Sequence, residues 1–378
     1  MKTYKEKQGI GLYFHIPFCA GKCPYCDFYS VSLKNGKWGD AAGDYIGALE
    51  RYIKTYPQEK ADTVYFGGGT PGLMGARRLS RLLELVKEHF DVSDNAEITV
   101  EVNPGDLKPG FFPVLYGAGF NRISIGMQSA VDSELKMLGR RHSCGDVSRT
   151  VKAAAEAGFK NISLDLMLAL PDMTEESLKM TLDFAMAQGI QHVSAYILKI
   201  EPDTPFARIK KQLRLPDDDR AADFYFQAAD YLDAHGFKQY EISNFALPGY
   251  EGRHNLMYWR CREYIGIGPS AHSFYKGKRF YYPRSLAEFL QEAEPLPDGD
   301  GGGLSEYIIL KLRLSEGLSR RELTERFPED AQVFDYLLGQ AKQCPADDLE
   351  YTDERIRLTA KGFAVANSIL TKLVWDLI

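Results

Sequence analysis

The sequence predicts an α/β protein: an incomplete parallel (β/α)6 barrel followed by a small C-terminal helical domain of winged-helix type. Three observations carry this expectation. Strand-like runs alternate with amphipathic helical runs six times within about 190 residues, the pattern of a parallel sheet. The residues able to do chemistry fall at or just beyond the strand ends, where parallel barrels place their sites. After Leu198 the alternation stops, and EPLPDGDGGG at 294–303 reads as the clearest linker before a final helical run. The expected divisions are a barrel over 1–240, strands and loops over 241–295, and the C-terminal domain over 304–378.

Residues 11–18 form the first strand, ending at Pro17, and 19–29 the first loop. Residues 31–40 read as a mobile Gly- and Lys-containing segment. A helix over 41–55 puts Tyr45, Ile46, Leu49 and Ile53 on one face. The second strand, 61–66, runs into Gly67-Gly68-Gly69-Thr70-Pro71, and an amphipathic helix follows at 76–90. Strand three (98–102) ends in Glu101-Val102-Asn103-Pro104, ahead of a short helix at 109–118 closed by Gly119. Strand four (122–127) leads to Gln128 and to helices at 132–138 and 146–157. Strand five (161–168) carries Asp165, and the helix at 174–188 has Thr174 as its N-cap with Glu175 and Glu176 in the first turn. Strand six covers 192–198, and a helix spans 220–235. Segments 239–245, 254–259, 264–274 and 279–282 read as strands and loops packed on the barrel's open side. Helices at 304–312, 319–326 and 331–343, a two-stranded wing at 349–359 and a last helix at 360–373 complete the chain.

Composition narrows the function classes. Hydrophobic residues are 44% and charged residues 26%, ordinary values for a globular chain. A net charge of −6 supplies no basic field for nucleic acid. No apolar run approaches a membrane span, and the N-terminus has no signal-like core. Cys144, Cys261 and Cys344 are scattered, which fits a reducing cytoplasm rather than a disulfide framework.

The chemistry concentrates in Cys19, Cys23 and Cys26, spaced C-x3-C-x2-C on the loop after the first strand. Three thiolates on one loop grip a metal centre from one side and leave a coordination position open. An iron–sulfur cube held this way presents its fourth iron to a ligand, and its chemistry with S-adenosylmethionine is a route to radicals. The competing reading is a zinc site with His15 as fourth ligand. Gly67-Gly68-Gly69 lets backbone approach a ligand closely. Glu101, at the end of strand three, stands where a carboxylate could bind ribose hydroxyls, although a lone strand-end glutamate is usually solvated. Asp165, in an otherwise apolar strand, must find partners because an unpaired buried charge is costly.

This spacing resembles the radical S-adenosylmethionine superfamily. YFHIPFCAGKCPYCDF, FGGGTP, EVNP, SIGMQS, Gly139-Arg140 and DLMLALP look in particular like the oxygen-independent coproporphyrinogen oxidase group, in order over about residues 11–198 and again in the C-terminal domain. The resemblance makes the barrel one of radical S-adenosylmethionine type. It implies a [4Fe–4S] cluster on Cys19, Cys23 and Cys26, and S-adenosylmethionine surrounded by Tyr13, Tyr25, Gly68, Gly69, Thr70, Glu101, Gln128, Arg140 and Asp165. Oxidases of the group carry a further cysteine two positions after the third; here that position is Phe28. They also have a long extension before the cluster, whereas 18 residues precede Cys19 here. Both departures resemble the haem-chaperone branch of the group.

A second mark of that branch is His254-Asn255-Leu256-Met257-Tyr258-Trp259. Imidazole is an axial ligand of haem and aromatic faces stack on the macrocycle. The resemblance therefore implies haem cargo held by His254, Tyr258 and Trp259, with His272 a lesser ligand candidate; the alternative is a structural turn that packs the two aromatics. It further implies delivery to an apo-cytochrome acceptor such as a respiratory membrane subunit. Localisation is then cytoplasmic, with membrane contact only through a partner, and a homodimer is compatible with the sequence. The rival function is radical decarboxylation of coproporphyrinogen propionates. The C-terminal domain, lacking a basic stripe, reads as a protein-contact or lid module.

Overall fold

The computed structural model describes residues 9–32 and 39–375. The α/β expectation holds. Seven parallel strands form the centre of a twelve-stranded sheet: β1 (Ile10–Ile16), β2 (Lys60–Gly68), β3 (Asp91–Val102), β4 (Arg122–Gln128), β5 (Ile162–Leu168), β6 (His192–Ile197) and β7 (Tyr264–Ile267). Their order is β7-β1-β2-β3-β4-β5-β6, and antiparallel strands extend both sides. Among the described residues no pairing joins the two ends, so the barrel stays incomplete.

Period-two alternation sorts the strand residues. On the helix-covered side Leu12, Phe14 and Ile16 of β1, Val64 and Phe66 of β2, and Val100 and Val102 of β3 are buried under helices such as Gly39–Thr55 and Ala76–His89. Phe66 packs on Phe14 at 5.2 Å and on Phe120 at 5.3 Å between ring centres. The opposite side is polar: Tyr13 and His15, Thr63 and Tyr65, Thr99 and Glu101, Ser124, and Asp165 share the barrel interior. Helix Glu175–Ala187 starts at Thr174 with a reciprocal box to Ser177, as its sequence predicts.

Several expectations are corrected. The first strand ends at Ile16; Phe18–Cys19 instead pairs with Val31–Ser32, so the start of the segment expected to be mobile is a short strand, while residues 33–38 lie outside the described ones. The 241–295 region does not merely pack on the barrel. It supplies β7, which runs parallel to β1, and the antiparallel strands His272–Tyr275 and Lys278–Tyr281. Four residues of β7 are too few to announce themselves by periodicity. Residues 254–259 are neither strand nor loop but part of a helix, Arg253–Trp259. Its start is held by the Glu97 carboxylate, which accepts the backbone N–H groups of Arg253 and His254 at 3.0 and 2.9 Å. Within the stretch read as a linker, Leu296–Asp300 is an exposed edge strand paired with Lys278–Tyr281. Backbone pairing to that strand overrides its turn-like composition.

The C-terminal part has the elements of a winged helix. Helices Leu304–Lys311, Arg320–Arg326 and Val333–Ala341 accompany a three-stranded sheet whose wing is Leu349–Thr352 with Arg355–Leu358. The last helix is broken at Val365 into Ala360–Ala364 and Ala366–Val374.

Phe66 anchors the sheet against its helices without touching the polar interior. Replacing it by Ala should cost about 3–5 kcal/mol in urea unfolding, the range for a buried aromatic truncation. Met180→Ala, on an exposed helix face, should stay within about 0.5 kcal/mol.

Candidate cofactor site

The glycine turn after β2 is interlocked with the backbone that carries the cysteines. Gly69 N–H donates to the Ile16 carbonyl at 2.8 Å, and Thr70 N–H to that of Phe18 at 2.7 Å. A Cβ on Gly69 would stand 2.7 Å from the Phe18 carbonyl oxygen and 2.8 Å from that of Ile16, so only glycine fits. Gly68 has φ of 106° and donates its N–H to Glu101 Oε2 at 3.2 Å. Three consecutive N–H groups are thus spent inside the protein. What remains to the turn is carbonyl oxygen, which suits a ligand ammonium.

The three thiols meet this turn at the barrel mouth. All are free and half-buried. Cys26 N–H closes a turn on the Cys23 carbonyl at 3.2 Å. Cys19 Sγ lies 3.6 Å from Thr70 Oγ1, and an Arg140 guanidinium nitrogen lies 3.9 Å from Cys23 Sγ. Asn103 joins the set, donating from Nδ2 to Thr70 Oγ1 at 3.0 Å and accepting from Arg140 Nη2 at 2.7 Å. Arg140 also donates to the Gly126 carbonyl, one strand over. Gln128, in the left-handed region at φ 71°, closes β4 beside it. Tyr25 is half-buried against Phe206, its phenol held protonated by desolvation, with Arg140 opposing and Cys23 and Cys26 adding to the shift. Burial likewise pushes the Cys26 thiol up to about 11, so iron would have to displace a proton there.

Deeper in, Glu101 accepts from the Tyr65 hydroxyl at 2.7 Å through Oε1. It is enclosed by protein but not fully buried. Burial raises its pKa to about 7 against the Tyr65 and Gly68 hydrogen bonds. Asp165 accepts from Ser124 Oγ at 3.0 Å, and burial raises its pKa also. Arg122 is the buried counter-charge, facing Glu97 and Asp165; its Nε has no hydrogen-bond partner among the described residues. Tyr65, Asn103, Ser124 and Arg122 escaped the sequence reading. Polar residues at alternate positions of otherwise apolar strands were the available signal.

The residues present fit both groups the sequence resemblance implied. The donor set is three thiols beside one guanidinium, and the next shell offers carbonyls, two carboxylates and an amide. The zinc alternative loses its fourth ligand: His15 Nδ1 is engaged by the Tyr13 hydroxyl at 3.0 Å and Nε2 by the Tyr29 carbonyl at 2.8 Å. Tyr13 accordingly sits with His15 on the β1 side and not in the Thr70–Arg140 cluster.

His254 lies in the barrel wall, 2% exposed. Its Nδ1 meets Thr63 Oγ1 and its Nε2 the Tyr258 hydroxyl, both at 2.7 Å, and its ring stacks on Tyr65 at 5.1 Å. Burial lowers its pKa to about 3, aided by Arg122. Neither nitrogen is available to an iron without breaking one of these bonds. Trp259 is turned elsewhere, under the Arg313 guanidinium at 5.7 Å. Of the three residues expected at haem, the structure unites only His254 and Tyr258.

A profile of the Radical SAM superfamily matches residues 13–185, and one of the HemN C-terminal domain matches 304–365. Barrel, thiol loop and glycine turn define a radical S-adenosylmethionine protein. A Lactococcus lactis protein named "Heme chaperone HemW" is 37% identical over 371 residues, 96% of this chain and 97% of its own. The Bacillus subtilis protein of that name is 34% identical over 97% of this chain and 99% of its own. The chain belongs to the HemW family. The solved Escherichia coli coproporphyrinogen III oxidase, HemN, superposes with a TM-score of 0.81 over 97% of this chain and 90% of its own; at 22% identity that shows a shared fold.

Glu101 gives the site a pH signature. Its folded pKa lies above the ordinary 4.5, at about 7. Its contribution to stability is therefore complete below pH 4.5 and lost as pH rises through about 7. Glu101→Gln removes that loss. In protein free of S-adenosylmethionine, the stability of the variant minus that of the wild type should grow steadily between pH 4.5 and 7.5, read from urea midpoints.

Proposed function

We propose that this protein is a haem chaperone: it holds a [4Fe–4S] cluster and S-adenosylmethionine at the barrel mouth, binds haem as cargo, and hands it to an apo-cytochrome such as a respiratory membrane subunit. The observation that carries this reading is the likeness, over nearly the whole of both chains, to proteins named as haem chaperones. The site supports the cofactors. Cys19, Cys23 and Cys26 would hold the cluster, whose chemistry when loaded is electron delivery to a bound sulfonium. The glycine turn would take the methionine ammonium on its carbonyls. Glu101, preset by Tyr65 and Gly68, keeps lone pairs for a ribose diol. Arg140 steadies Cys23 and, through Asn103, the turn itself. Asp165, Gln128 and Tyr25 complete the enclosure, with Tyr13 beyond His15.

Phe28 supports cargo over catalysis. It is 67% exposed, an apolar ring where the oxidase pattern has a thiol. We read residues 1–240 as the cofactor-holding core, 241–295 as the cargo side and 304–378 as a module for contact with the acceptor. Among the described residues no helix is long and apolar enough to cross a membrane, so a membrane acceptor would be met from outside the bilayer.

The test is anaerobic reconstitution followed by two parallel assays. Ferric haem titration should give a stoichiometric complex with a Soret band, and haem should move to an apo-cytochrome. Incubation with reductant, S-adenosylmethionine and coproporphyrinogen should give no turnover. Sustained formation of protoporphyrinogen without haem binding would replace the chaperone by the oxidase. Cys23→Ala should cost the four irons per chain expected of the cluster, and a colourless wild type holding one zinc would refute the cofactor assignment.

A further inference from the structure

We propose that haem sits in the cleft between the cysteine loop and the antiparallel strands outside β7, with His272 as its axial ligand. The inference rests on the haem-chaperone reading above and supplies the site that reading lacks.

The cleft has a volume of about 390 Å³ and opens beside the third cysteine, since Asp27 and Phe28 line it. Its other walls are aromatic: Tyr13, Tyr29, Tyr258 and Tyr264. A cleft of this size with tyrosine walls and polar groups in its lining (His15, Asp27, Ser270, His272 and Arg284) has the make-up of a site for a large flat ligand with charged edges. Phe28, 67% exposed, extends that surface outward.

The histidines single out one ligand. The chain has seven. His15, His192 and His254 have both ring nitrogens hydrogen-bonded inside the protein. His89, His142 and His235 each have one nitrogen tied to a backbone carbonyl. His272 lines the cleft, has no hydrogen bond to its ring among the described residues, and is 58% exposed.

It is nevertheless oriented. Its ring stacks on Tyr281 at 5.0 Å, with planes 21° apart, and Nδ1 lies 3.9 Å from an Asp298 carboxylate oxygen. A carboxylate on the Nδ1 side, though beyond hydrogen-bond distance, favours a proton on Nδ1 and leaves the Nε2 lone pair for a metal, the tautomer a ligating imidazole needs. Both neighbours lie on the strands beyond His272: Tyr281 on Lys278–Tyr281 and Asp298 on Leu296–Asp300, the latter within the stretch read as a linker. Coordination forms one bond, from the Nε2 lone pair to the haem iron; no porphyrin bond breaks and no electron moves. Arg284, at the cleft's edge, is paired with Asp27 at 2.9 Å and half-exposed, so a haem propionate would share its guanidinium with that carboxylate.

Ferric haem is titrated into cluster-reconstituted wild type, His272→Ala and His254→Ala, followed by the Soret band and by electron paramagnetic resonance of the haem iron. Iron and sulfide content and far-ultraviolet dichroism report on cluster and fold. His272→Ala should lose the histidine-ligated signature and bind at least about tenfold more weakly, the scale on which even outer-shell changes act at metal sites. Its cluster should be intact, and added imidazole should restore the signature. His254→Ala should melt earlier but keep the wild-type haem spectrum. If His272→Ala binds haem with unchanged spectrum and affinity, this site is wrong while the chaperone reading stands. If a folded His254→Ala loses the signature instead, the ligand is His254. If wild type binds no haem, the chaperone reading itself falls.

Discussion

The site depends on one backbone contact: Gly69 pressed against the carbonyls of Ile16 and Phe18. Through it the turn after β2 and the strand leading to the cysteines become one unit. The thiols sit on a loop, a poor platform for fixed geometry. The contact ties that loop to two neighbouring parallel strands, and Val31 N–H on the Pro17 carbonyl ties it again at its far end. The same hydrogen bonds consume the turn's donors, so one constraint sets both where the cluster would hang and what kind of ligand group the turn can accept.

The second constraint is the polar barrel interior. Parallel strands are usually apolar on both faces. Here one face carries Glu101, Asp165, Arg122 and several hydroxyls, and each must be paired because burial is costly. Arg122 lowers the cost for both acids, and Tyr65, Ser124 and Gly68 hydrogen-bond their oxygens. Glu101 and Asp165 stay partly exposed, and Arg122 Nε has no hydrogen-bond partner among the described residues, features that favour a polar guest beside them. A finished core would leave neither.

Much of this was legible in the sequence, for identifiable reasons. The six strand–helix units are long and strongly patterned, and Cys19, Cys23, Cys26 and Gly67–Gly69 stand out by spacing. Residues acting through their neighbours were not legible. Asn103 matters because it bridges Thr70 and Arg140, and Tyr65 because it meets Glu101 across a strand; neither relation is local in sequence. β7 was missed for its length, and Leu296–Asp300 because pairing overrode its loop-like composition. His254 is a different case: the motif that singles it out also marks a histidine that matters to the fold. It joins the Arg253–Trp259 helix to Thr63 of β2 and stacks within the barrel wall.

The contrast between His254 and His272 bears on what a carrier requires. A ligand buried at 2% exposure between two hydrogen bonds could bind iron only by opening the barrel wall, and release would need the same opening. A carrier must give its cargo up, so its ligand belongs where a partner can reach the metal. His272 meets that condition on an outer strand, stacked on Tyr281 and more than half exposed. The thiol loop is the opposite case, half-buried and locked to the barrel, as suits a group that is to be kept. Retained cofactor on the rigid parallel core and exchangeable cargo on the antiparallel edge is an arrangement that lets one sheet serve both, with Phe28 at the junction.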